Sequence, residues 1–95
     1  MKIKNPKQDF FDECLADIKD EIPSDWKYIG WLGDECPSYK VNGLQIWIDH
    51  PDREKRTCAV RFGISRINEH DEWVEDIAQE AHFSCVLQIV SEAAG

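Results

Sequence analysis

Residues 71–90, DEWVEDIAQEAHFSCVLQIV, decide how this 95-residue chain folds, because two hydrophobic periodicities meet inside them. Trp73, Val74, Ile77, Ala78 and Ala81 recur at three- and four-residue spacing, which predicts an amphipathic helix capped by Asn68 or Asp71. After His82 the phase slips. Phe83, Cys85, Leu87 and Ile89 then alternate with Ser84, Val86, Gln88 and Val90, predicting a closing strand. Neither Gly nor Pro occurs between Glu69 and Ala94, so one long C-terminal helix is the competing reading.

Upstream of this stretch the pattern has period two. Val60, Phe62 and Ile64 alternate with Arg61, Gly63 and Ser65, and Leu44, Ile46 and Ile48 alternate with Gln45, Trp47 and Asp49. Both segments predict strands with one face on a core. The run WKYIGWL at 26–32 has the aromatic and β-branched content of a third strand, and residues 33–38 read as a loop. Asn42-Gly43 marks either a tight hairpin with Tyr39 to Val41 as its first arm, or a turn or bulge leading into the next strand. At the N-terminus, Asn5 as cap, Pro6 at the first helical position and Gln8 three residues after the cap predict a helix start. Phe10, Phe11, Cys14, Leu15, Ile18 and Ile22 continue that helix until Pro23 stops it.

The expected architecture is a single α+β domain over residues 1–95: helix, three-stranded antiparallel sheet, helix, and a final C-terminal strand. In topology this order resembles the double-stranded-RNA-binding domain. The basic loop and helix-end residues of that family have no counterpart here, and the helix that would face the RNA backbone carries no base.

Composition narrows the function. A hydrophobic fraction of 42% beside 32% charged residues fits a folded soluble domain. The net charge of −8 disfavours phosphate backbones and anionic lipid and favours a basic protein partner. No apolar run of membrane-spanning length and no secretory leader follow the basic start Met1-Lys2-Ile3-Lys4, so a cytoplasmic protein without membrane contact is expected. Cys14, Cys36, Cys58 and Cys85 are spread singly, which predicts reduced thiols rather than a zinc site or a disulfide scaffold. No catalytic motif stands out, and the chain is expected to be neither an enzyme nor a cofactor or metal protein.

The sharpest signal is acidic. Asp9, Glu13, Asp17 and Glu21 form one row at four-residue spacing, and Glu72, Asp76 and Glu80 form another. On a helix each such like-charge pair costs about 0.2 to 0.5 kcal/mol. Seven acids and no Lys or Arg lie between Glu69 and Gly95. An ordinary solvated helix face is the bland explanation. The functional one is a surface that imitates nucleic acid and blocks a basic, nucleic-acid-handling partner, with exposed Trp47 adding contact area. In size and charge the chain looks like phage-encoded inhibitors of restriction or CRISPR systems and like bacterial immunity proteins for nuclease toxins. That likeness implies an inhibitor carried by a phage or mobile element. Whether the two rows merge depends on which side of the sheet each helix packs.

Two further readings compete. Arg53, Lys55, Arg56, Arg61 and Arg66 give residues 51–68 five bases against two acids, a local +3, which would suit a small nucleic-acid-binding module also using Trp47. A metal site would need Asp49, His50, His70 and Asp71 to converge, and a thiol nucleophile would need one of His50, His70 or His82 beside a cysteine. Trp47 and Arg61 fall on outward positions of neighbouring strands, where they would either stack or form part of a contact patch. Trp73 lies on the predicted helix stripe and reads as core, leaving Trp31 and Trp47 as interface residues.

Overall fold

The protein, seen in a computed structural model that describes residues 6–94, is α+β, with two helices and five strands. In chain order these are α1 (Pro6–Leu15), β1 (Lys27–Tyr28), β2 (Ser38–Val41), β3 (Leu44–Ile48), β4 (Phe62–Ile67), β5 (Trp73–Glu80) and α2 (Phe83–Ala94), with one 3-10 turn at Arg53–Lys55. The sheet is a meander in the order β1-β2-β3-β4-β5, and every neighbouring pair is antiparallel. The sheet therefore has five strands rather than three, and the likeness to the double-stranded-RNA-binding order ends there.

Residues 71–90 reverse the expected assignment: the predicted second helix is β5, and the predicted last strand is α2. Two register shifts against β4 explain the first error. Pairing runs Ile64↔Ala78 and then Ser65↔Asp76, and again Arg66↔Glu75 and then Ile67↔Trp73, so Ile77 and Val74 are the extra residues of two bulges. Each insertion breaks period-two alternation and spaces the apolar residues as a helix would. The cap chemistry misleads in the same way. Asn68 Oδ1 does accept the backbone N–H groups of His70 and Glu72, but it does so in a hairpin turn whose Asp71 has φ 62°. In α2 the buried residues Phe83, Val86 and Val90 lie at helical spacing, hidden in the sequence by a run apolar enough to satisfy either period.

The Asn42-Gly43 hairpin forms as one of its two readings requires. Asn42 at φ 51° and Gly43 at φ 76° provide two left-handed residues in succession, the conformation that joins twisted antiparallel strands by a two-residue turn. The 26–32 run forms a strand only at β1.

The first helix stops at Leu15 instead of running to Ile22. In a continuing helix the Cys14 carbonyl would accept from Ile18 N–H. Here it accepts from Arg61 Nη2 at 3.0 Å, while Ile18 N–H bonds the Leu15 carbonyl and Glu21 N–H the Ile18 carbonyl, each one residue tighter. Residues 16–21 are consequently turns. The Asn5 cap lies outside the described residues.

One sheet face is covered. Leu44, Ile46 and Ile48 on β3 and Phe62 and Ile64 on β4 pack against Phe83, Val86 and Val90 of α2, together with Ile18 and Trp26. Their burial is the main stabilising term, at about 25 cal/mol per Å² of apolar surface removed from water. Helix α1 meets the end of the sheet where β3 leaves, through Phe10 against the His50 ring and Arg61 against the Cys14 carbonyl.

Candidate functional site: the open face of the sheet

Side chains alternate across a sheet, so the residues between the core positions form a second surface. Register places Ser38, Trp47, Gly63 and Gln79 in one row across four strands, and Lys40, Gln45, Ser65 and Asp76 in the next. The β5 bulge between Ser65 and Ile64 is what turns Asp76 onto this face, beside Ser65.

Local hydrogen bonds hold the face in shape. Gln45 Nε2 donates to Ser38 Oγ at 3.0 Å. Ser65 Oγ and Trp73 Nε1 both donate to Asp76 Oδ1, each at 2.9 Å. These two donors, Trp73 first, hold the Asp76 carboxyl below the usual carboxylate range, because they stabilise its charged form. Trp47, Gly63, Ser65, Trp73, Asp76 and Gln79 line a groove of about 450 Å³, with the Gly33–Cys36 loop and Cys58 also on its wall.

The charges bordering the groove are Asp34, Glu35, Asp49 and Asp76 against Arg61. Two of the five, Asp49 and Arg61, are buried and engaged internally. Asp49 is buried and accepts the N–H groups of His50, Thr57 and Cys58 and the Thr57 hydroxyl. Arg61 is buried and donates to Asp17, to the Cys14 carbonyl and to the Asp49 carbonyl. Asp34, Glu35 and Asp76 therefore set the potential, and it is negative.

The acidic rows are dispersed. Asp9 and Glu13 lie on α1, whereas Asp17 and Glu21 lie in the turns beyond it. Glu13 faces His50 Nε2 at 3.4 Å and Lys55 Nζ at 3.8 Å, and Asp17 is bound to Arg61. In the second row Glu72 sits in the hairpin turn, bonded by Asn68 Nδ2, Asp76 is on the open face, and Glu80 pairs with core-facing Phe62 on the other. A four-residue step that rises about 6 Å in a helix spans about 13 Å in a strand. The continuous helical rows of charge expected from the sequence do not form.

The remaining expectations fare unevenly. Trp47 is half-buried on the open face. Trp31 is exposed, and so is Trp73, against the expectation of a core role. Arg61 lies over the Phe62 ring, at 4.9 Å, instead of stacking on Trp47. Within the basic segment Arg56 donates to the His50 and Pro51 carbonyls and Arg66 faces Glu75 at 3.5 Å. His70 faces Glu69 and Asp71 pairs with Lys40, so the structure does not bring them to Asp49 and His50. No group of three or more His, Cys, Asp or Glu suited to a metal ion occurs among the described residues. Cys14 and Cys36 are buried thiols whose pKa burial pushes up, that of Cys14 to about 12, whereas Cys58 is exposed. No helix among the described residues is long and apolar enough to cross a membrane.

Sequence reasoning missed Gly63 and Trp73, and it placed Asp76 on the wrong element. A glycine inside an otherwise alternating strand was the available signal, since such a residue often marks a close approach by another group. No protein-family model, curated protein or solved structure matches this chain.

Proposed function

We propose that this protein is a small acidic interaction module that binds a basic, nucleic-acid-handling protein and blocks it. The observation that carries this reading is β5. It is a sheet-edge strand on which exposed Trp73, Val74 and Ile77 are interleaved with Glu75, Asp76 and Glu80, and no Lys or Arg occurs from Glu69 onward. Exposed apolar side chains give contact area, and the strand's carboxylates, of which Glu75 alone faces a cation among the described residues, Arg66, give steering and selectivity toward a cationic surface. Charge mimicry then acts through a mixed patch of β5 and the open face, with Asp9 and Glu13 of α1 as separate charges, rather than through two helical rows.

The test pairs capture with inhibition. A nuclease-treated lysate is passed over the parent and over a variant with Asp9, Glu13, Glu21, Glu72, Asp76 and Glu80 changed to their amides. Asp17 is left intact because it anchors Arg61. The expected result is a basic nucleic-acid enzyme retained by the parent alone, released by salt, and inhibited by stoichiometric parent protein. Equal retention by two folded proteins, or a captured enzyme left fully active, would overturn the reading. Duplex DNA and RNA titrations are expected to show no binding at physiological salt.

A further inference from the structure

We propose that the groove on the open sheet face receives one arginine side chain of the basic partner, its guanidinium held against the Trp47 and Trp73 indoles with Asp76 as counter-ion. This rests on the reading above that the partner is basic, and it names the contact.

Three independent features converge. The first is the orientation of Asp76. Both of its donors fall on Oδ1, and Oδ2 accepts from no described residue, so one oxygen is fixed in place while the other is left for an incoming donor. A carboxylate positioned this way offers a charge-assisted hydrogen bond without first having to be ordered.

The second is space. A Cβ on Gly63 would meet only Trp47 Cβ at 3.7 Å and Trp47 Cδ1 at 3.9 Å, ordinary contacts, so nothing in the fold forbids a side chain there. Nor does its backbone need glycine, because Gly63 is not among the residues of positive φ. Glycine in a strand interior weakens the strand, and here it leaves the floor of the groove open between Trp47 and Gln79.

The third is chemistry. Two indoles and a negative border suit a cation that also has a flat apolar face. Guanidinium fits this better than ammonium, since it is planar, more weakly hydrated, and able to stack and donate in a fork at once. A metal ion would find a single oriented carboxylate, and a phosphate or nucleobase phosphodiester would meet the charges of Asp34, Glu35 and Asp76.

The experiment is an amide and indole N–H chemical-shift titration of the labelled protein with acetyl-Gly-Arg-Gly-amide, and with the same peptide carrying lysine or the uncharged isostere citrulline. Expected are saturable shifts at Gly63 and at the Trp47 and Trp73 indoles with arginine, weaker ones with lysine and none with citrulline. Asp76→Asn keeps an Oδ1 for its two donors but replaces the charged Oδ2 acceptor with an amide NH2, and it should weaken binding about tenfold. Gly63→Ala should retain the parent's shift dispersion while losing the peptide response. Equal responses to arginine and citrulline, or arginine shifts confined to α1, would overturn the groove as the receptor. The two proposals fail separately. A captured basic enzyme whose binding ignores Asp76→Asn and Gly63→Ala removes the groove and leaves the partner reading. Arginine-specific groove shifts with no such enzyme captured do the reverse.

Discussion

Arg61 grips Asp17 through two hydrogen bonds, Nη1 to Oδ2 at 2.9 Å and Nη2 to Oδ1 at 2.5 Å, across 44 residues of chain. The same guanidinium caps the Cys14 carbonyl and so ends α1. Asp17→Asn should cost about 1.5 kcal/mol, the low end for a charged hydrogen bond because Asp17 is half exposed. Arg61→Lys should not substitute, since an ammonium cannot serve the fork and both carbonyls together. Urea denaturation at pH 7 checks both.

The pH dependence of that pair has a definite sign. Hydrogen bonding to Arg61 holds the Asp17 carboxyl below its ordinary value, so the folded state binds this proton less readily than the unfolded chain. The stabilisation is therefore complete above the unfolded pKa of about 3.9 and is lost as pH falls through the lower folded value. The stability gap between parent and Asp17→Asn should be constant from pH 7 to 5 and shrink below pH 4.

Asp49 organises the segment between β3 and β4. Its carboxylate gathers three backbone N–H groups and a hydroxyl in a buried position, and Asp49→Ala would leave several of these donors without an acceptor. The expected loss is about 3 kcal/mol or more, given roughly 1 to 3 kcal/mol for each buried polar group left unpaired. Thermal unfolding followed by near-ultraviolet circular dichroism measures it, and an unchanged midpoint would contradict the network's role.

Gly63→Ala should stabilise the domain by about 0.4 to 1 kcal/mol, because the added methyl finds space and the unfolded chain loses freedom. Denaturant midpoints decide the sign. A stability gain combined with loss of arginine binding identifies the glycine as a functional cost.

Thiol labelling reads burial directly. Cys58 should react rapidly at pH 8, while Cys14 and Cys36, buried and with raised pKa values, should react only on unfolding. A time course with a chromogenic disulfide in the presence and absence of urea separates the classes.

What could be read along the chain and what could not divide by the range of the responsible interaction. Val60 to Ser65 and Leu44 to Ile48 announce strands through uninterrupted alternation, although β4 begins only at Phe62, and Trp47 falls on the open face by the same count. Asp76 and Trp73 read as helical because bulges at Val74 and Ile77 copy that spacing, so the β5 side of the groove was unreadable.

The sequence by itself determined the α+β class, a chain reversal or bulge at Asn42-Gly43, the alternating strands β3 and β4 and the acidity of the last third, because local sterics, period and composition act within a few residues. Tertiary structure decided the rest. Edge pairing with β4 made residues 73–80 a strand, the sheet's apolar face made residues 83–94 its covering helix, and Arg61 ended α1 from 47 residues away. In each case a long-range hydrogen bond or buried surface outweighed a local preference worth at most a fraction of a kcal/mol per residue, and no window of sequence contains its partner.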